Sequence, residues 1–465
     1  MKRFLLPIAL ALAGALRAAD SPAPAPVKAD GFTFVKTVGG ISEYTLNSNG
    51  LTALIFPEHS APVVTFMVTY RVGSRHEVTG TTGATHLLEH LMFKGSAGFN
   101  GEKGNSVKQF LETVGGNFNA TTWLDRTNYY AEIGSEHLAG YMAIEADRMR
   151  NLLLREDDRR PEMTVVRNEF EQGENDPEQA LDKEINAAAF QAHPYHHSTI
   201  GWRSDIEKVS IEKLREFYDT FYWPDNATVS LVGDFEPAAG LALVKKFYGA
   251  YPRAPKPIPQ VYTEEPAQSG PRRVTVRRAG ELGVVGLAYK SPPATDPDLP
   301  ALNVLCSILS SGKTSRFYRA LTDKNLTTGV SAGAGYFHDP QLINLYASLA
   351  PNITHEQVEK VLLEEVDRIK AGGVTDAEVA TALGKIVAAT SYKRDGTFAI
   401  AGNLNEDIAA GDWTLYYTLD AATRKVTAAD VKRVAGRYLD INQSVTGWFV
   451  PLVAAPEPAA PAAKK

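Results

Sequence analysis

Cysteine is almost missing from this 465-residue sequence, in which Cys306 is the single example. One cysteine cannot form an intrachain disulfide, so the fold must be held together without one. Cys306 lies within the mostly apolar stretch 302–309, where we expect a small buried side chain and not a nucleophile.

An excess of positive charge is also missing. The 48 Lys and Arg residues are outnumbered by 54 Asp and Glu residues, which gives a formal net charge of -6. No basic cluster follows a helix face, so we expect no nucleic-acid partner. Hydrophobic residues make up 44% and charged residues 22% of the chain, which is typical of a globular protein.

A long apolar run is the third absence. The apolar stretch 4–16 is too short to span a bilayer and contains Pro7, so no stable membrane anchor is expected. It follows the basic Lys2 and Arg3 and precedes small residues, a pattern that predicts a signal peptide over 1–19. We therefore expect an exported protein, with the periplasm favoured because the signal resembles bacterial ones.

Alanine and proline dominate two further segments. Residues 20–30 are predicted to be a flexible Ala/Pro tether, and residues 453–465 a disordered tail. Between them the chain is long enough for two or three domains. The stretch 253–272 is rich in proline and charge and is predicted to link a domain over 31–252 to another over 273–452.

The two halves repeat one order of elements. A strand over 63–70 and a helix over 84–93 have counterparts in a strand over 284–290 and a helix over 300–309. An offset of roughly 220 residues indicates an ancient duplication. We predict an α+β fold of two homologous domains, each with a mostly antiparallel sheet and packed helices.

The sequence His86-Leu87-Leu88-Glu89-His90 is the most informative stretch. On a helix, His86 and His90 project from one face, and Glu89 lies at its shoulder. Two imidazoles and a carboxylate on one turn suit a zinc site that keeps an open position for water. The pattern is the inverse of the thermolysin-type His-Glu-x-x-His, whereas the second half has Asn303 to Cys306 in the equivalent helix. We therefore predict one metal site, in the first domain.

Two more helices are predicted downstream. Residues 137–154 have apolar residues at helical spacing. In the next helix, Pro161 is predicted to occupy the first turn, where a missing N–H costs least. Glu162 and Glu169 are seven residues apart and share a face, whereas Glu171 points elsewhere.

The combination of these motifs resembles the M16 (pitrilysin-type, inverzincin) metallopeptidases. The resemblance rests on the strand 63–70, the turn Gly73-Ser74-Arg75, the inverted zinc helix and Phe93-Lys94-Gly95-Ser96, and it extends over about 32–450. It implies a LuxS/M16 metallohydrolase-like fold and a zinc endopeptidase that cleaves short or unfolded peptides. One zinc per chain is implied, with Glu89 as the general base.

The resemblance also implies roles for particular residues. Glu169 becomes the third zinc ligand beside His86 and His90, and Glu162 becomes a group outside the ligand set that orients Glu169. Asn119 and Ala120 match an edge strand to which the substrate peptide adds through backbone hydrogen bonds. The segment 193–197 has three histidines, but Pro194 breaks helical spacing, so a second metal site is not favoured.

One departure from the family pattern concerns an arginine and a tyrosine that grip the substrate carbonyl. Their places fall on Thr322 and on Thr328 or Gly329, and a one-residue shift of register gives Asp323 and Val330. Arg319 or Tyr336 could substitute. We therefore predict that the chain is the zinc-bearing subunit of a heterodimeric clamshell, with a second M16-type subunit supplying the pair.

Three alternatives stay open at this point. A homodimer would replace the heterodimer if the chain supplies its own carbonyl-gripping residues. A non-catalytic peptide-binding or assembly subunit would not need the complete set of His86, Glu89, His90 and Glu169. Metal capture without catalysis would not need Glu89, since storage requires no base.

Overall fold

The computed structural model describes residues 27–452. The predicted signal peptide, the tether up to residue 26 and the predicted tail over 453–465 lie outside the described residues. In the described part, no helix is both long and apolar enough to cross a membrane.

The described residues form strands, α-helices and short 3-10 turns in a mixed order. The strands are β1 (Phe32–Val38), β2 (Ile41–Leu46), β3 (Thr52–Pro57), β4 (Val63–Tyr70), β5 (Asn117–Thr122), β6 (Thr127–Gly134), β7 (Ala227–Gly233), β8 (Arg272–Ala279), β9 (Val284–Lys290), β10 (Thr327–Ala334), β11 (Leu342–Leu349) and β12 (Ser444–Leu452). The helices are α1 (Ala84–Leu91), α2 (Val107–Val114), α3 (Leu138–Arg150), α4 (Glu156–Asn175), α5 (Pro177–Ala189), α6 (Arg203–Lys208), α7 (Ile211–Phe221), α8 (Pro237–Tyr248), α9 (Leu299–Ser310), α10 (Arg316–Ala320), α11 (His355–Gly372), α12 (Asp376–Tyr392), α13 (Thr397–Ala409), α14 (Leu415–Thr423) and α15 (Ala428–Tyr438).

Two sheets contain these strands, and their topologies correspond. The first has the order β1-β2-β3-β7-β4-β6-β5, and the second has the order β10-β11-β9-β12-β8. When the second order is reversed, it repeats β3-β7-β4-β6-β5 strand for strand. In both sheets one pair is parallel, β3 with β7 and β8 with β12, and the other pairs are antiparallel. The α+β fold predicted from the sequence is confirmed.

Each half contributes a helix to the sheet of the other half. Helix α5 places Leu181 and Ile185 among apolar residues of the second sheet, including Val445 and Phe449. Helix α13 places its apolar face against Met67 and neighbouring residues of the first sheet. The division into domains at 253–272 stays a prediction, because neither half covers its own sheet without the other.

The largest errors in the predicted helix boundaries are at the start of α4 and the end of α3. Helix α4 begins at Glu156, so Pro161 lies inside it and does not open it. Three acidic residues, Glu156, Asp157 and Asp158, occupy the first turn, where the partial positive charge of a helix N-terminus favours them. Helix α3 ends at Arg150 and not at residue 154, because Leu152 pairs with Ser96 as an isolated β-bridge.

Candidate metal centre

Helix α1 is fixed on the first sheet by its apolar side. Leu87, Leu88 and Leu91 are at most 1% exposed and belong to the core of the first half. This burial leaves His86 and His90 on the opposite side, as the spacing predicted.

The N-terminus of α1 is held by a carboxylate. Glu77 accepts hydrogen bonds from the backbone N–H groups of Gly83 and Thr85, both at 2.8 Å. Gly83 has a φ of 82°, in the left-handed region, and a Cβ there would lie 2.4 Å from the carbonyl oxygen of Ile200. Only glycine fits this entry to the helix.

His86, His90 and Glu169 come together in the structure. The Nε2 atoms of His86 and His90 lie 3.6 Å and 3.7 Å from the same oxygen of Glu169, Oε2. Their potential ligand atoms all lie within 4.8 Å of one another, and no other group of this kind occurs within residues 27–452. Two residues from α1 and one from α4 therefore converge, although they are about 80 positions apart in sequence.

The convergent atoms fit a zinc ion. Two imidazoles and one carboxylate are a donor set that zinc accepts, with a position left for water. Burial, followed by the neighbouring His90, lowers the pKa of His86 to about 3, so this imidazole stays neutral and keeps a lone pair to donate. Neutral imidazole is the form that binds a metal.

Glu162 lies behind His90. Its Oε2 is 3.0 Å from Nδ1 of His90, and Lys94 makes an ion pair with its other oxygen. Burial alone would raise the pKa of Glu162, but the hydrogen bonds from Lys94 and His90 outweigh it and the pKa is lowered. Glu162 is therefore ionised, and its contact is with His90, whereas the resemblance implied that it orients Glu169.

Glu89 lines the same cavity as the three convergent residues and is not one of them. It is 8% exposed, and burial raises its pKa above the ordinary value. The hydroxyl of Thr122 donates a hydrogen bond to Glu89 Oε2 at 2.7 Å, which opposes that rise. A raised pKa makes a carboxylate a stronger base, which suits it to accepting a proton.

Strand β5 forms the free edge of the first sheet beside this group. Asn119 and Ala120 lie on it, and Asn119 is exposed whereas Ala120 is buried. One cavity of about 480 Å³ is lined by Asn119 to Thr122 together with His86, Glu89, His90 and Glu169. A larger cleft of about 870 Å³ lies between the halves and shares His86, Glu169 and Thr122 with the first cavity.

The proposed substitutes for the missing arginine and tyrosine occupy different places. Arg319 is exposed on α10 and lines neither cavity. Tyr336 lines the large cleft, but its hydroxyl donates to Asp407 of α13. Thr322 contacts Thr327 through their hydroxyl oxygens at 2.9 Å, so it offers no cation in the arginine's place.

The histidines of 193–197 have partners of their own. His193 Nε2 lies 3.1 Å from Asp339, and His197 Nδ1 lies 3.8 Å from Glu77. They do not join His86 and His90. Cys306 is buried as expected, and burial raises the pKa of its thiol to about 12.

Thr122 and Glu77 are site residues that the sequence analysis missed. For Thr122 a signal existed, because alternation along the strand 117–123 places it on the same face as Ala120. For Glu77 no local pattern was available, since it lies outside the helix that it caps.

Comparison with known proteins matches this chain to two peptidase family models and to a zinc protease. The model of the family "Insulinase (Peptidase family M16)" matches residues 54–202, and that of "Peptidase M16 inactive domain" matches residues 208–385. The zinc protease PqqE of Helicobacter pylori is 30% identical over 409 residues, which cover 87% of this chain and 91% of that protein.

Two further similarities come from a plant protein and a crystal structure. A probable mitochondrial-processing peptidase subunit beta of Arabidopsis thaliana is 26% identical, over 86% of this chain and 77% of that one. The crystal structure of a protease from Helicobacter pylori superposes with a TM-score of 0.84 at 29% identity, covering 88% of this chain and 99% of that one.

Proposed function

This chain belongs to peptidase family M16, and from that membership we propose that it is a zinc-dependent endopeptidase. The observation that carries the proposal is the convergence of His86 Nε2, His90 Nε2 and Glu169 Oε2 beside the buried Glu89. Relatives with the printed name zinc protease support both the metal and the reaction.

In the proposed reaction His86, His90 and Glu169 hold one zinc ion per chain. When bound, zinc supplies Lewis acidity, which polarises a carbonyl oxygen and lowers the pKa of a water to about 7. Glu89 accepts a proton from the attacking water and then delivers it to the nitrogen of the leaving amine. Glu162 keeps His90 in the tautomer whose Nε2 is free of hydrogen.

We propose that the substrate is a short or unfolded peptide. The free edge of β5 offers backbone groups to an extended chain, and Asn119 and Ala120 lie at the part of the edge beside Glu89. A folded protein does not present a single extended strand to such an edge. The cleft between the halves gives the peptide room beyond the metal centre.

We further propose that this chain is the zinc-bearing subunit of a heterodimer. The arginine's place is taken by Thr322 and the tyrosine's by Thr328 or Gly329, and the hydroxyl of Tyr336 donates to Asp407. A second M16-type subunit would supply the missing pair. A relative whose printed name includes "subunit beta" is consistent with such pairing.

A non-catalytic peptide-binding or assembly subunit is the second candidate, favoured by the matched family name that contains "inactive domain". Burying the Glu89 carboxylate costs free energy, and a scaffold gains nothing from that cost. Metal capture without catalysis also gains nothing from a buried Glu89 carboxylate. The enzyme is therefore the preferred function.

The test is cleavage of an unstructured fluorogenic peptide by the purified chain, with and without a chelator. Without a carbonyl-gripping donor the rate should be lower than an ordinary one by about 10²–10³-fold, and a second subunit with the pair should restore it. An ordinary rate from the chain alone would support the peptidase and overturn the heterodimer. No chelator-sensitive cleavage even with that subunit would overturn the peptidase.

Export to the periplasm stays a proposal that rests on residues 1–19. Fractionation of cells that express the full sequence tests it. Recovery of a shortened chain in the periplasmic fraction is expected, and full-length chain in the cytoplasm would contradict it.

A further inference from the structure

Thr122 occupies a position that joins the substrate edge to the proposed base. It is the last residue of β5 and is 8% exposed. It lines both cavities. Its hydroxyl donates to Glu89 Oε2 at 2.7 Å.

We propose that Thr122 is a positioning residue for Glu89. The hydroxyl occupies Oε2 and fixes the carboxylate plane, so that Oε1 is the oxygen that takes and returns the proton. A hydrogen bond to a charged group is stronger than one between neutral groups, and it restricts the rotation of the Glu89 side chain. The inference rests on the proposed function, in which Glu89 is the base.

The strand end that presents Thr122 is itself held by Arg126. The backbone N–H of Trp123 donates to the carbonyl of Arg126 at 2.9 Å and closes the turn between β5 and β6. The guanidinium of Arg126 donates to the carbonyl of Thr121 at 3.1 Å and to Asn128 at 3.0 Å. Thr122 therefore follows a residue whose backbone is tied to a buried cation.

Arg126 is anchored by the other half of the chain. Its Nε and Nη2 atoms donate to one oxygen of Glu406, and Glu406 lies on α13, which packs against the first sheet. Arg126 is 8% exposed, so its positive charge needs this partner. Contacts thus run from α13 through Arg126 and the end of β5 to Glu89.

The chain offers a matched control in Thr127. Thr127 is the cross-strand partner of Thr122 in the pairing of β5 with β6, and it is also buried. Its hydroxyl donates to the carbonyl of Val72 at 2.9 Å and not to Glu89. Thr127→Val therefore removes a similar buried hydrogen bond without affecting the base.

The experiment measures single-turnover cleavage of an unstructured fluorogenic peptide, with the zinc-loaded chain in excess so that slow rates are still resolved. Thr122→Val should lower the maximal rate by about 10- to 100-fold with little change in the half-saturating enzyme concentration. Thr122→Ser should stay within about threefold of the wild type because it keeps the hydroxyl. Thr127→Val should also keep the wild-type rate.

A second readout does not depend on turnover. In the Glu89→Gln background, the dissociation constant for the peptide is measured by fluorescence anisotropy, and zinc content by mass spectrometry. Adding Thr122→Val should change neither quantity. Weaker peptide binding would make Thr122 a substrate contact and overturn the positioning role, as would equal rates for Thr122→Val and Thr127→Val.

If Thr122→Val does not fold, Glu406→Ala is the alternative variant, because it disturbs the anchor of the strand end and leaves Thr122 in place. It should lower the maximal rate by about three- to tenfold. Where Thr122→Val does fold, adding Glu406→Ala to it should have no further effect, because the influence of Glu406 passes through Thr122. An unchanged rate in Glu406→Ala would overturn the role of the anchor. If the wild type shows no chelator-sensitive cleavage even with a second subunit that carries the arginine and tyrosine, the proposed function fails and this inference fails with it.

Discussion

The Nδ1 atom of His90 lies 3.0 Å from Oε2 of Glu162, on the side of the imidazole ring away from Glu169. Because the pKa of Glu162 is lowered, the carboxylate accepts this hydrogen bond and the proton stays on Nδ1. The other ring nitrogen of His90, Nε2, lies 3.7 Å from Oε2 of Glu169. Helix α4 thus provides both Glu169, which meets the two imidazoles, and Glu162, which contacts His90 of α1 from behind.

The first prediction concerns Glu162. Glu162→Gln removes the charge that holds the His90 proton, so zinc affinity should fall by about 10- to 100-fold. Competition with a chromophoric chelator measures this change. Glu174→Gln, on the same helix but away from His90, serves as the control, and equal losses of affinity in both variants would contradict the role of Glu162.

The second prediction concerns the carboxylate of Glu169. Glu169→Gln should weaken zinc binding because the metal would lose a charged ligand. The loss of affinity should exceed about 100-fold, the upper end of the loss expected for Glu162→Gln. Chelation should lower the unfolding temperature of the wild type, because binding to the folded state stabilises it, but not that of Glu169→Gln. The neighbouring Glu171 is exposed, and Glu171→Gln should behave as the wild type in both measurements.

The third prediction concerns Glu89. Glu89→Gln should keep its zinc and lose about 10²–10⁴-fold in cleavage rate, because the amide cannot accept the proton. Metal analysis and peptide cleavage on the same preparation check both parts. Glu112→Gln changes an exposed carboxylate on α2 and should leave the rate unchanged. Retained activity in Glu89→Gln would remove Glu89 from the base role.

The fourth prediction concerns the pH dependence of stability. Burial raises the pKa of Asp407 from 3.8 to about 7, so the folded state binds this proton more tightly than the unfolded state. The free energy of unfolding should therefore fall as pH rises from about 4 to about 7. Chemical denaturation across this range should show a smaller fall for Asp407→Asn. The exposed Asp395 provides the control, and a slope that Asp407→Asn leaves unchanged would contradict the assignment.

The fifth prediction concerns α13. Leu404 is fully buried against the first sheet, and Leu404→Ala should lower the free energy of unfolding by about 2–5 kcal/mol. Ile441 is 42% exposed, so Ile441→Ala should cost far less. Because α5 and α13 are exchanged between the halves, both halves should unfold in one transition. Two separate transitions in calorimetry would argue against this coupling.

Elements with a local signal were predictable from the sequence. The strands 63–70 and 284–290 have the predicted limits, because each is a short apolar run between turn residues. The face shared by His86 and His90 follows from helical spacing alone. The start of α4 was not predictable from Pro161, because an acidic first turn extended the helix upstream of it.

The sequence by itself determined the α+β class, the duplication and the identity of His86, Glu89 and His90, because each depends on spacing within one element or on a repeated order of elements. The tertiary structure decided which carboxylate meets the imidazoles, that Glu162 holds His90, and that Thr122 holds Glu89. It also decided the exchange of α5 and α13 between the sheets. These relationships join residues far apart in the chain, and only the packing of complete helices on complete sheets fixes which distant side chains become neighbours.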